Sequence, residues 1–323
     1  MRRATWISRS AAMLAAVGLL GLAMPTSARS QTLLKFGVAA VNEGMLPLRV
    51  AIDQGYLKSA GITAEFIDFK GGGPTVQGFA GGSVDFCVCA ADHVLRLANR
   101  GFDARIISGL DEFHSYLLVA KADAPFTDIA SLKGKRVGIT SPGSFTDNTV
   151  RWTISKAGLN AQRDFQLIGA GVGAAMRAAI ETGQVDAGVV IVTELPSYMR
   201  TGKFKVVVDW RPTRYAALVV IGRQRWADAN PQMARDLAQS ITKAAQLIQT
   251  DAAVAMKGIK SLYPHFTDEQ TKETADAARA RLSKDGSVSQ QGFDTMVEVV
   301  MTSDATLKKV SQSEVDLQPK LVK

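Results

Sequence analysis

Lys-Gly-Lys-Arg-Val-Gly-Ile-Thr-Ser-Pro-Gly-Ser-Phe-Thr-Asp-Asn-Thr-Val, residues 133–150, carries the pattern of a strand that turns into a helix. Residues 136–140 form a short β-branched run suited to a buried parallel strand, Ser141-Pro142-Gly143 turns the chain, and Ser144, Thr146 or Asp147 stands where a helix cap is needed. The first N–H groups of such a helix lack intrahelical partners and carry the positive end of its dipole, so the turn is a candidate anchor for an anionic or strongly polar group. Most turns of this composition bind nothing. What gives this one weight is a second copy of the pattern.

Gly-Gly-Ser-Val-Asp at 81–85 recurs as Thr-Gly-Gln-Val-Asp at 182–186, the aspartates lying 101 residues apart. Gly37 and Gly138 keep the same step, Gly73 and Gly173 differ by 100, and Gly61 and Gly158 by 97. Each copy reads strand, loop, helix, strand, glycine-containing loop, helix, Gly-x-Val-Asp, strand. The repeat predicts an α/β protein of two similar Rossmann-like lobes facing each other across a ligand cleft. Apolar runs near 116–120 and 215–221 flank the second copy, so they carry the chain out of the first lobe and back, as a hinge of two crossings. The expected division is a leader at 1–30, one lobe from 31–115 plus 216–323, and the other from 116–215.

Residues 1–30 hold Arg2, Arg3 and Arg9 before an apolar run at 11–24, followed by small residues that permit cleavage after Ala28 or Ser30. That is the pattern of a secretory signal peptide, and it predicts a periplasmic product. The formal charge of +8 falls to +4 once the four arginines of this segment are removed. Lys and Arg are otherwise scattered and not interleaved with aromatics, so no nucleic-acid partner is expected. Cys87 and Cys89 are the only cysteines; lying two apart on one strand, they are expected as buried free thiols because so tight a disulfide would be strained. His93, His114 and His265 show no ligand spacing, so neither a metal nor a cofactor is expected.

Along the chain, Gly71-Gly72-Gly73-Pro74-Thr75 opens a helix after the second strand, and Asp92 is expected to cap the helix that follows the third, with His93 in its first turn. One long helix is expected from Asn230-Pro231 to about Leu262, with Ala234, Leu237, Ala238, Ile241, Ala244, Ala245 and Ile248 on its buried face. The later helices show no cluster of reactive groups, so they are expected only to pack against the first lobe.

Val50-Ala51-Ile52-Asp53-Gln54-Gly55-Tyr56-Leu57, Gly82-Ser83-Val84-Asp85, Ser131-Leu132-Lys133-Gly134-Lys135-Arg136-Val137-Gly138 and Gly183-Gln184-Val185-Asp186-Ala187 together resemble the type II periplasmic substrate-binding proteins of ABC importers, in particular the nitrate, sulfonate and taurine group. The resemblance implies capture of a small-molecule solute, anionic or polar, by a monomer that closes its lobes and docks on an inner-membrane ABC permease. Carried over by position, it places the ligand against Asn42 and Glu43, Gly72 and Gly73, Asp92 and His93, Ser141, Gly143, Ser144, Phe145 and Thr146, and Thr193 and Glu194. On this expectation the helix starts at Ser144 and Thr75 hold the polar end. Glu43, Asp92 or Glu194 faces an amino group or ring N–H, and Phe145 and Phe113, with His114 beside it, cover an apolar part. Sulfonate-binding relatives often carry an aromatic before an acid and Pro in the segment that here reads Val192-Thr193-Glu194-Leu195-Pro196. The alternative within the same resemblance is a thiamine-pyrimidine-related binding protein or enzyme. The two cysteines lie within a strand and no Ser/His/Asp set is apparent, which favours binding over catalysis.

Overall fold

A computed structural model describes residues 31–323; the expected leader at 1–30 lies outside the described residues. The chain begins with β1 (Thr32–Val38), α1 (Leu46–Asp53), α2 (Tyr56–Ser59), β2 (Ile62–Asp68), α3 (Gly72–Gly81), β3 (Phe86–Cys89), α4 (Asp92–Asn99) and β4 (Ala104–Phe113). It continues as β5 (Tyr116–Lys121), β6 (Arg136–Ile139), α5 (Phe145–Lys156), α6 (Ala161–Asp164), β7 (Gln166–Gly169), α7 (Ala174–Glu181), β8 (Ala187–Ile191), α8 (Leu195–Met199) and β9 (Phe204–Asp209). It returns through β10 (Arg214–Arg223) and then runs through α9 (Gln224–Ala229), α10 (Pro231–Thr250), α11 (Ala252–Leu262), α12 (Asp268–Arg281) and α13 (Gln290–Ser303).

Among the described residues two five-stranded sheets result, ordered β2-β1-β3-β10-β4 and β7-β6-β8-β5-β9. The orders are equivalent position for position. In each, three parallel strands are followed by an antiparallel strand, β10 or β5, which the chain inserts as it passes from one sheet to the other. The repeated residues explain the match. Asp85 accepts the backbone N–H of Lys35 at 2.8 Å, and Asp186 that of Arg136 at 2.8 Å, so each Gly-x-Val-Asp ties the entry of its third parallel strand to the first, at the middle of β1 and at the start of β6. The preceding valines also correspond. A Cβ on Gly37 would lie 3.0 Å from Val84, and one on Gly138 3.2 Å from Val185. Only glycine lets those strands approach the motif so closely.

Apolar clusters cover both faces of each sheet. The anticipated face of α10 is buried throughout, from Ala234 to Ile248. The long helix expected to run to Leu262 is instead two. Asp251 leaves the helical region and its side chain accepts the N–H groups of Ala253 and Val254, capping α11; a short carboxylate competes with the helix ladder for backbone donors, and here it wins. The cysteines also depart from expectation, because Cys87 and Cys89 are joined as a disulfide. Alternation on β3 puts both side chains on one face, and the pleat brings their Cα atoms to 5.5 Å, inside the span a disulfide bridges.

Candidate functional site

The carboxyl ends of the parallel strands face each other across a cavity of about 510 Å3, which shares Ala40, Tyr116, Thr140, Val172 and Ile191 with an inner recess of about 50 Å3. In open α/β sheets this end of the strands is where ligands bind.

The recess is built from two turns. On one side, β6 is followed by Thr140, whose hydroxyl lies 2.9 Å from those of Ser144 and Thr146, themselves 2.8 Å apart. Ser144 is the N-cap of α5, accepting the Asp147 N–H, and Gly143 takes the positive φ that the turn demands. Asp147 accepts the Gly143 N–H and the Arg151 side chain, both at 2.7 Å, so this helix start already holds a carboxylate of its own. On the other side, α3 begins at Gly72. A Cβ there would lie 2.8 Å from Nε2 of His93, and one on Gly73 3.7 Å from Oγ of Ser141. The glycines therefore let the first turn of α3 press against His93 and face the β6–α5 turn of the opposite sheet. Lys70, just before them, has φ +58 and is the one non-glycine residue with positive φ among the described residues.

Of the expected residues, Asn42, Gly72, His93, Ser144, Phe145 and Thr146 line the recess, and Thr193 and Glu194 line the outer cavity. Gly73 and Ser141 stand at the seam between the two turns. Asn42 bonds locally, its Oδ1 accepting the Gly44 N–H and its Nδ2 donating to the Ala40 carbonyl. His93, in the first turn of α4 as expected, is buried. Burial pushes the Glu194 carboxyl up, with Arg177 opposing it.

Others do not reach the cavity. Thr75 lies one turn into α3, fully buried, its hydroxyl donating to the Gly71 carbonyl, so it is not the helix start it was expected to be. Asp92 caps nothing: the N-cap is Ala91, and the Asp92 carboxylate accepts from Nδ2 of Asn148 at 2.6 Å. Glu43 is buried against Arg281 at 3.0 Å, and the same guanidinium donates to Asp111 and Ser115, each at 2.6 Å. Burial pushes the carboxyls of Glu43 and Asp111 up while Arg281 pulls both down. Phe113 lies under the Arg214 guanidinium, 4.7 Å from ring centre to carbon. His114 packs 4.5 Å from the Phe145 ring and bonds Thr149, and burial lowers its pKa to about 3. Gly143 shapes its turn and lines neither space.

One wall of the outer cavity lies where no site residue was expected. Tyr263, His265, Phe266, Gln270, Glu273 and Thr274 line the outer cavity, so the segment from the end of α11 into α12 does more than pack. Tyr263 and Phe266 stack at 4.5 Å. The signal was present as Tyr263-Pro264-His265-Phe266, three rings in four residues just before the capping box at Thr267. Tyr116, Lys70 and Arg200 were missed as well.

Residues 42–253 match the family described as NMT1/THI5 like. The 4-amino-5-hydroxymethyl-2-methylpyrimidine phosphate synthase THI5 of Saccharomyces cerevisiae is 24% identical over 240 residues, 69% of each chain. A solved structure from Bordetella bronchiseptica RB50 superposes with a TM-score of 0.76 at 24% identity, covering 90% of this chain and 97% of that one. The alkanesulfonate-binding protein SsuA from Xanthomonas axonopodis pv. citri, bound to MOPS, does so with 0.72 at 18% identity, covering 89% and 98%. The fold is that of the periplasmic binding proteins, and the chain belongs to the NMT1/THI5-like family.

Proposed function

We propose that this protein captures a small polar organic solute between its two sheets, closes over it, and delivers it from the periplasm to an inner-membrane ABC permease. The observation that carries the reading is the recess itself: turns from opposite sheets meet there, Gly72 and His93 on one side and Ser144 and Thr146 on the other, and the recess opens into a ring-lined cavity. The recess offers hydroxyls and helix N–H groups to a polar head, while Tyr116, Tyr263 and Phe266 face the body of the solute. Binding is favoured over a cysteine-nucleophile reaction because Cys89 on the recess wall is bonded to Cys87, which removes the thiolate such a reaction requires.

One observation favours a second reading of the solute's class, a nitrogen-bearing ring of the thiamine-pyrimidine kind over a sulfonate, carboxylate or nitrate-like anion. Among the described residues, no lysine or arginine lines the recess. The carboxylates of Asp92, Asp147, Glu43 and Asp111 lie around it, Asp147 held by Arg151 and Glu43 and Asp111 together by Arg281, while Arg96 reaches Asp92 only through Asn148. A full anion docked there meets more acid than base. Calorimetric titration with 4-amino-5-hydroxymethyl-2-methylpyrimidine, ethanesulfonate, benzoate and nitrate tests both readings. Pyrimidine binding weakened about tenfold by Phe266→Ala, roughly 1.4 kcal/mol, supports the ring. Anion binding lost in Ser144→Ala supports the anion. Turnover of any of these compounds would overturn the binding role.

A further inference from the structure

Helix α5 follows a strand of the second sheet, yet it also packs along α13, beside the first sheet. Its N-terminal Phe145 sits in the core of the first lobe, stacked 4.4 Å from Tyr215, while Val150 and Ile154 sit in the core under the second sheet. A buried polar cluster fixes this arrangement. Asn148, 1% exposed, donates Nδ2–H to Asp92 of α4 at 2.6 Å; its Oδ1 accepts from Arg96 of α4 at 2.8 Å and from Ser303 of α13 at 2.9 Å. Farther along, Trp152 and Lys156 reach Glu298 of α13. Both crossings of the chain adjoin the same helix. Ser115 and Tyr116, at the first, line the recess at its N-terminus, and Trp210, before the second, donates Nε1–H to Thr153 at 2.9 Å.

We propose that α5 and α13 form the fixed axis about which the lobes open, and that Asn148 is the positioning residue that pins it. This rests on the reading of the cleft as a solute trap. Ser144, Phe145 and Thr146 then keep their places opposite Gly72 and His93 when the lobes part, because they sit at the end of the axis. The outer cavity, whose walls are Thr193 and Glu194 on one lobe and Tyr263 and Phe266 on the other, is completed only on closure. The head of the solute therefore meets a preformed recess, and closure wraps the body. A rotation about a packed, hydrogen-bonded helix pair has two discrete elements and a defined line, the structural content of a hinge.

The test needs no ligand. Spin labels at exposed Ser155→Cys on α5 and Gln239→Cys on α10 are compared with a second pair, Ala178→Cys on α7 and Gln239→Cys, in solute-free protein; the bonded Cys87 and Cys89 take no label. The expected result is a narrow 155–239 distance distribution and a 178–239 distribution at least twice as broad. Equal widths, both broad or both narrow, would overturn the proposal. Asn148→Asp sets two carboxylates against each other and is expected to broaden the 155–239 distribution. Asp92→Asn combined with Asn148→Asp restores the donor and acceptor and is expected to narrow it again; failure of the exchanged pair to do so removes Asn148 from the role. A solute trap that opens about another axis would still bind in calorimetry, so the two readings fail separately.

Discussion

Arg281 is the most informative single perturbation. Its side chain is 12% exposed and holds two carboxylates, Glu43 at 3.0 Å and Asp111 at 2.6 Å, which are 3% and 1% exposed. Replacing it with methionine keeps most of the packing volume and removes the charge, leaving two acids buried without a cation. Breaking such a pair from one side costs about 3–5 kcal/mol. At roughly 2–4 °C per kcal/mol for a chain of this size class, the melting temperature of Arg281→Met is expected about 10 °C below that of the parent at neutral pH. The pH dependence follows from direction. Burial already pushes both carboxyls above their ordinary values of 4.5 and 3.8, and Arg281 opposes that rise, so its loss raises them further. A carboxyl with a raised pKa in the folded state stabilises below its unfolded pKa, and that contribution is lost as pH climbs through the folded value. The gap between parent and variant is therefore expected to widen from pH 4.5 to pH 8, followed by scanning calorimetry across that range. A gap under 2 °C, or one that does not change with pH, would refute the account of Arg281 as the partner of both acids.

Three further outcomes are expected. Gly72→Ala sets a Cβ 2.8 Å from the His93 ring, so the variant loses about 1–3 kcal/mol in chemical denaturation, and an unchanged midpoint would mean the α3 turn is not tightly seated. Asp251→Ala removes the cap of α11 and lowers stability by about 1 kcal/mol, read as a shift of a few degrees in melting temperature; no shift would return α10 and α11 to a single helix. Thiol titration of the denatured chain finds none before reduction and two after it, whereas two at the outset would restore the free-thiol expectation.

The architecture was legible because the residues that dictate it are local and repeated. Gly37 with Val84 and Asp85, and Gly138 with Val185 and Asp186, recur at a fixed offset because each set closes the same three-stranded unit. The site was half legible. Ser144 and Gly72 announce themselves as cap and turn residues, and their neighbours followed. Asp92, by contrast, reads as a cap from its place before a helix; only the arrival of α5 from the other lobe, bringing Asn148, gives it a different partner. Glu43 was misread for the same reason, since Arg281 lies 238 residues away. The Tyr263 to Phe266 wall escaped notice because the repeat stops before it. No periodic pattern places a segment appended to the first lobe over the mouth of the cleft, and the break at Asp251 that aims it there depends on one side chain choosing a cap over a helix. The cysteines were judged by loop size, where the pleat of β3 decided the outcome.

The most direct test of solute capture is native mass spectrometry of the purified protein, before and after mild unfolding, followed by thermal shift with the four compounds named above. The account predicts a bound organic molecule that is lost on unfolding, or a melting temperature raised by at least 5 °C at a hundred times the dissociation constant of one of them, where binding stabilises by about 2.7 kcal/mol. A bare mass together with no shift for any of the four would contradict it.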